Sequence, residues 1–414
     1  VADRAEATAF AEALYAQMHL PDPEHFGLRF PHQVSGGQLQ RAMVAMAMAC
    51  KPDLIVFDEP TTALDVTTQI GVLAAIREAV EELGTAAIYI THDLAVVAQM
   101  ADRIKVMRHG HEVEEAPTRQ MMSHPREDYT RSLWAVREFR RPERVLPEDT
   151  PVLIRVEGVT AGYGGDPVLK DVSFDIPKGA TVAVVGESGS GKSTTARVIT
   201  GLLPPTEGHV EMLGEVLPAQ LPDRSQEQLR QIQMIYQMAD TALNPRHTIR
   251  QILSRPLHFY RGLTGAARDA RLDELMDQIE LNPAEFLDRL PAELSGGQKQ
   301  RIGIARALAA DPAFIICDEV TSALDQLVAE GILRLLSDLQ DRTGVSYMFI
   351  THDIETVRAI ADDVVVMQHG AVMDRGPRRE VLDPPRHPYT AELVASVPQP
   401  DPDWLTRRIE EGVT

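Results

Sequence analysis

The sequence predicts an α/β fold: a mixed, mainly parallel sheet covered by helices, with an added helical subdomain, the whole laid out in tandem. Three observations predict it. First, Ser35-Gly36-Gly37-Gln38 recurs as Ser295-Gly296-Gly297-Gln298, Asp58-Glu59 as Asp318-Glu319, and Thr91-His92-Asp93 as Thr351-His352-Asp353, each 260 residues on. Ala63-Leu64-Asp65, His109-Gly110 and Tyr129-Thr130 recur at the same offset. A constant offset over so long a stretch means two gapless copies of one unit. Second, short apolar runs bounded by turn residues alternate with helical patterns, as in sheets whose strands are buried on both faces. Third, Gly186–Ser193 matches GxxxxGK[ST] between a predicted strand and a predicted helix.

In chain order, Val1–Leu20 reads as the tail of a helical insert. Residues 1–133 form the back part of the first copy, and a Pro- and charge-rich stretch over 134–151 is the linker. The second copy runs over 152–383, followed by an extension at 384–414. Its strands are expected at Thr181–Val185, Ala313–Cys317, Tyr347–Ile350 and Asp363–Met367. Its helices include Thr194–Leu203, stopped by Pro204-Pro205, and Gln298–Ala309. About Ser225 to Leu290 reads as mostly helical, the insert of the second copy. The 260-residue counterpart of Gly186 falls before Val1, which is not Met, so the first copy reads as N-terminally truncated.

The 414 residues, 44% hydrophobic and 25% charged, suit more than one globular domain. No apolar run approaches the ~18 residues of a membrane helix, so a membrane role is expected to be peripheral. A net charge of −20 disfavours sequence-independent nucleic-acid binding, which depends on Lys and Arg. Cys50 and Cys317, the two cysteines, both lie in apolar runs and are expected to be buried thiols.

The chemistry concentrates in a few places. Gly186, Glu187, Ser188, Gly189, Ser190, Gly191, Lys192, Ser193 and Thr194 form a loop whose glycines let backbone N–H groups turn toward phosphate oxygens. The following helix adds its positive end. Lys192 is expected to reach the β- and γ-phosphates of a nucleotide, and the Ser193 hydroxyl to bind Mg²⁺. Asp318 and Glu319 follow a predicted strand; Asp318 would hold the magnesium through water, and Glu319 would act as general base. His352, after another strand, would contact the γ-phosphate and orient the water. Ser295, Gly296, Gly297 and Gln298 open a helix, with Ser295 as N-cap; Ser35, Gly36, Gly37 and Gln38 repeat the pattern.

These motifs, in this order, resemble the ATP-binding-cassette (ABC) family over essentially the whole chain, which implies the P-loop NTPase fold with ATP and Mg²⁺ as ligands. The resemblance implies that Tyr163 stacks on adenine and that Gln237 touches magnesium and the attacking water and senses the membrane partner. Leu243-Asn244-Pro245-Arg246 and His387-Pro388-Tyr389-Thr390 resemble the ATPases of oligopeptide, dipeptide and nickel importers. Ala42–Cys50 and Arg301–Leu308 resemble two different ATPase subunits of such a system, as in a fused twin cassette. The extension lacks cysteines, so no iron–sulfur cluster is expected, and Val320 replaces the family's commoner proline.

In the family, each ATP lies between the phosphate loop of one cassette and the Ser-Gly-Gly-Gln signature of the other. The resemblance thus implies one whole site here, with Tyr163, residues 186–194, Gln237, Asp318, Glu319 and His352 on one side and Ser35–Gln38 on the other, Asp65 bridging nearby. Asp58, Glu59 and His92, with Ser295–Gln298, would form an incomplete second site lacking a phosphate loop. The implied function is ATP hydrolysis driving a peptide-class importer, with two transmembrane permease subunits and, through them, a substrate-binding protein as partners. The location implied is the cytoplasmic face of the inner membrane. The alternative is a soluble twin-cassette ATPase acting on ribosomes or DNA. Against it stand the short Pro-bearing linker and the absence of zinc-binding cysteines.

Overall fold

The computed structural model describes residues 3–61, 64–135, 139–142, 144, 146–147, 149–322 and 324–411. Parts of the expected linker (136–138, 143, 145, 148) and the repeated Ala63 and Ala323 lie outside them. The chain divides into two units. One comprises Val1–Val136 with Ala395–Thr414, the other Arg137–Val394. The extension expected at 384–414 is thus shared between them.

In the first unit, β1 (Leu54–Asp58) pairs in parallel with β2 (Ala86–Ile90), and β3 (Arg103–Arg108) pairs antiparallel with β4 (His111–Pro117). Helices Arg4–Gln17, Gly36–Met48, Val66–Leu83 and Leu94–Met100 accompany them. Alternation along β1 sends Ile55 and Phe57 into a core with Met18, Met48 and Ile76, while Leu54 and Val56 stay more than half exposed.

The second unit begins with an antiparallel sheet of β5 (Val152–Ala161), β6 (Leu169–Pro177), β8 (Glu207–Met212) and β9 (Glu215–Val216). Its main sheet holds β7 (Thr181–Val185), β10 (Ile232–Ile235), β11 (Phe314–Asp318), β12 (Ser346–Ile350), β13 (Asp363–Gln368) and β14 (Ala371–Pro377), in the spatial order β10-β11-β12-β7-β13-β14. All neighbours are parallel except β13 and β14. Every residue of β7 and β12 is buried, because both faces are covered. Val182, Val184, Ile316, Met348 and Ile350 pack toward the antiparallel sheet. Ile315, Cys317, Tyr347 and Phe349 pack toward the helices, among them Leu253, Leu275, Ile302 and Leu335. Each such side chain contributes roughly 1.5–3 kcal/mol by leaving water, which makes the strand ends a rigid platform.

The four expected strands of the second copy are present within one residue at each end, and Arg4–Gln17 is helical as expected. One expectation gains a strand and two need correction. The stretch 225–290 is helical at Gln226–Gln231, Ala239–Ala242, Ile249–Arg261, Gly265–Gln278 and Pro283–Phe286, but it also contains the edge strand β10. Its four residues have too little length for periodicity to show, and pairing with β11 decides their conformation. The helix after the phosphate loop ends at Ile199, not Leu203. The carbonyls at and just past its end are taken by residues farther along the chain: Arg224 donates to Ile199 O (2.7 Å) and the Leu221 N–H to Gly201 O (2.9 Å). Cys317 is buried, but Cys50 is exposed, lying past the end of Gly36–Met48 where Lys51 turns the chain with φ 47°.

Candidate nucleotide site

The central strand β7 delivers the chain directly into the loop 186–191, and helix Lys192–Ile199 leaves it. Gly186 (φ 145°) and Gly191 (φ 105°) adopt backbone conformations that disfavour side chains. A Cβ on Gly186 would stand 2.1 Å from Met367 O, and one on Gly191 2.7 Å from Leu169 Cδ2. The glycines therefore let the loop pass beneath β13 and β6. Lys192, 6% exposed, donates through Nζ to Gly186 O and Glu187 O, both at 2.7 Å. Its ammonium sits inside the loop's own curve, where a phosphate oxygen would compete with those carbonyls as its acceptor.

Two strand ends converge on the loop. Asp318 ends β11, and its Oδ1 accepts from Ser193 Oγ at 3.1 Å. Glu319 follows with φ 49°, which turns its side chain out of the strand direction. Its carboxylate accepts from Gln237 Nε2 at 2.5 Å and lies 3.4 Å from His352 Nδ1, just beyond β12. Gln237 arrives from the end of β10, so the strand missed by pattern is what brings it here. Two hard oxygen donors, Ser193 and Asp318, beside a buried lysine match what a magnesium–phosphate group requires.

Burial drives the protonation preferences. It raises the Asp318 carboxyl above its ordinary range, with Glu319 adding to the rise and Ser193 and Lys192 opposing it. A divalent cation would reverse that balance. Burial also pushes Glu319 upward. There, however, the hydrogen bond and charge of His352, with Lys192 and Gln237, outweigh it and hold the carboxyl below its usual value. Burial lowers His352, and Glu319 more than compensates, so the imidazole is raised. A carboxylate kept ionised beside a histidine at a strand end can accept a proton from water.

Tyr163 stands 57% exposed between β5 and β6. Its hydroxyl accepts from Arg197 Nη1 at 2.9 Å, with that guanidinium 5.7 Å from the ring centroid. Arg197 belongs to the helix that leaves the loop, so the aromatic ring is positioned beside it. Ser295 forms a capping box: its Oγ accepts from Gln298 N–H (3.3 Å) and its own N–H donates to Gln298 Oε1 (2.9 Å). Gly297 is required by packing, since a Cβ there would lie 2.4 Å from Val328 Cγ1.

The first unit repeats these local arrangements. Ser35 caps Gly36–Met48 through Gln38 in the same box, and a Cβ on Gly37 would stand 2.1 Å from Thr68 Cγ2. Asp58 ends β1, Glu59 follows with φ 46°, and its carboxylate lies 2.9 Å from His92 Nδ1.

Two residues at the loop were not singled out for this place by sequence reasoning. The buried Tyr389 accepts the Glu187 N–H on its hydroxyl at 3.1 Å. The Gly370 N–H donates to Ser190 O at 3.1 Å. Both belong to pairs that recur at the 260-residue offset, which was the available signal.

A family model described as ABC transporter matches residues 2–62 and 169–322. A second, described as the C-terminal region of oligopeptide/dipeptide transporters, matches 373–413. The chain is 39% identical to the glutathione import ATP-binding protein GsiA of Escherichia coli (strain K12), over 97% of its length and 70% of the relative's. It is 38% identical to the protein of that name from Salmonella paratyphi A, with the same coverage. Among solved structures it is similar to cbiO1 from Clostridium perfringens, described as part of the ABC transporter complex cbiONQ. That similarity has a TM-score of 0.51 and 27% identity, over 56% of this chain and 92% of that one.

Proposed function

The chain belongs to the ABC transporter family, with ATP hydrolysis coupled to import as its activity, and we propose that residues 186–194, Gln237, Asp318, Glu319 and His352 are its hydrolytic centre. The observation that carries this reading is the meeting of Lys192, Ser193, Asp318, Glu319, Gln237 and His352 at the C-terminal ends of β7, β10, β11 and β12, where parallel sheets bind ligands.

The backbone of residues 186–191 and Lys192 bind and orient the phosphates, and Tyr163 offers its ring to the base. Ser193 and Asp318 would hold magnesium, with Gln237 at its edge; the ion supplies charge that polarises the phosphate oxygens when bound. Glu319, kept ionised by its neighbours, takes the proton of the attacking water while His352 and Gln237 fix its direction. Such a site works mainly by positioning and electrostatics.

We further infer that the chain is a fused twin cassette whose signature Ser35–Gln38 completes this site. Asp58, Glu59, His92 and Ser295–Gln298 would belong to a second site. The support is the 260-residue repeat and the capping boxes at both signatures. The test is Ser35→Arg, which is expected to depress kcat strongly while ADP affinity stays within about twofold. Unchanged turnover would remove the assignment of Ser35.

The cargo is inferred to be a peptide-class solute, the class of the relatives' glutathione and of the matched transporter region. Among the described residues no helix is long and apolar enough to cross a membrane. The reading therefore places the chain peripherally at the cytoplasmic face, on two transmembrane subunits that communicate with a substrate-binding protein. Co-purification with those subunits tests it; stable capture on ribosomes or DNA instead would favour the soluble alternative.

A further inference from the structure

We propose that the last segment of the chain, residues 395–411, is a clasp that holds the first unit to the second without any nucleotide. The chain passes from the first unit to the second near residue 136 and returns near residue 395. The returning segment is firmly seated. Trp404 and Leu405, both buried, pack on Ile70 and Leu73 of helix Val66–Leu83 and on Val96 of helix Leu94–Met100. Polar contacts fix its register. Gln99 Nε2 donates to Gln399 O (2.8 Å), Arg77 Nη1 to Thr406 Oγ1 (3.1 Å), and Arg119 pairs with Asp403 (2.7 Å). Ahead of it, helix Pro388–Ala395 carries Tyr389, the residue bonded to the phosphate loop. One short stretch is therefore anchored in the second unit at one end and in the first at the other.

The same two helices, shifted by 260 residues, serve the same purpose in the second unit. Residues 139–141, which continue the chain from the first unit, lie on Gln326–Thr343 and Ile354–Ile360. The Phe139 ring lies 4.4 Å from the Arg334 guanidinium, and Arg140 pairs with Glu355. The Arg141 N–H donates to Ala359 O at 2.8 Å, and its buried guanidinium joins Gln340 and Asp362. Each unit thus presents an equivalent helix pair, and each pair receives the segment that continues from the other unit's last helix. A covalent linker needs only one such crossing. The second crossing, with its buried indole and buried leucine, adds a non-covalent hold.

The experiment uses the full chain with a recognition site for a specific protease inserted between residues 136 and 137, where the first unit passes into the second, and cut after folding. This leaves 139–142 and 395–411 both on the second fragment, so that 395–411 is the crossing under test. On size exclusion in nucleotide-free buffer the fragments are expected to co-elute. In the cut chain carrying Trp404→Ala and Leu405→Ala, most of the material is expected to separate, while ADP affinity and helical content before cutting remain those of the parent. Separation of the parent fragments would overturn the proposal, and so would continued co-elution of the double variant. Should the double variant fold poorly, Gln99→Leu with Arg119→Glu, which removes the donor to Gln399 O and the partner of Asp403, replaces it and is expected to lower the co-eluting fraction in the same way; no change would overturn the clasp.

Discussion

Glu319 and Glu59 occupy the same local structure and very different surroundings. Each follows an aspartate at a strand end, each has φ near +48°, and each faces a histidine from the next parallel strand. Around Glu319, however, stand Lys192, Gln237 and the Ser193–Asp318 pair, and its side chain is 20% exposed against 40% for Glu59. β11 and β12 are covered on both faces. A carboxylate–histidine pair is thus a local product of strand, turn and strand. Reactivity toward a phosphate needs a loop, a lysine and desolvation supplied from elsewhere in the unit.

The largest effect expected from this contrast is on turnover. Glu319→Gln should slow ATP hydrolysis by about 10²- to 10⁴-fold, the usual share of a general base, with ATP binding retained. An unchanged rate in Glu319→Gln would remove its assignment as the base. Next comes binding. Lys192→Ala removes a charge-assisted partner worth about 1.5–3 kcal/mol, or roughly ten- to hundred-fold in ATP affinity at equilibrium dialysis.

A smaller effect tests packing that both units share. Gly37→Ala and Gly297→Ala should each lower stability by about 1–3 kcal/mol in denaturant melts, through overpacking on Thr68 and Val328. Thr68→Ser, which removes the offending methyl, should restore Gly37→Ala. The smallest effect is a titration. His352 is raised, so its share of stability is complete below its ordinary 6.5 and is lost as pH rises through its folded value. Glu319 is lowered, so its share is present above its ordinary 4.5 and is lost as pH falls through its folded value. Their mutual support is therefore fullest between about pH 4.5 and 6.5. Glu319→Gln should move the His352 imidazole titration, followed by NMR, to lower pH; an unmoved titration would mean that Glu319 does not hold its proton.

Much of this site was legible in the sequence because it is made of short segments with local rules. The loop 186–193 needs glycines where its neighbours crowd it, and Ser295 and Gln298 satisfy each other three residues apart. What escaped was set by tertiary pairing. β10 has four residues and no pattern of its own, yet it delivers Gln237. Cys50 reads as part of an apolar run, but it falls past the helix end and faces water. Tyr389 and Trp404 read as one tail. A change of partner within a continuous segment leaves no mark in composition, so their separate anchoring, one on the phosphate loop and one on the first unit, could not be read from the sequence.

The claim that Lys192 and Glu319 serve one nucleotide is tested most directly by titrating it. Isothermal titration of ATP with magnesium should show tight binding in the Glu319→Gln chain, and adding Lys192→Ala should weaken the binding of one ATP per chain by roughly ten- to hundred-fold. Affinity and stoichiometry left unchanged by Lys192→Ala would contradict the account.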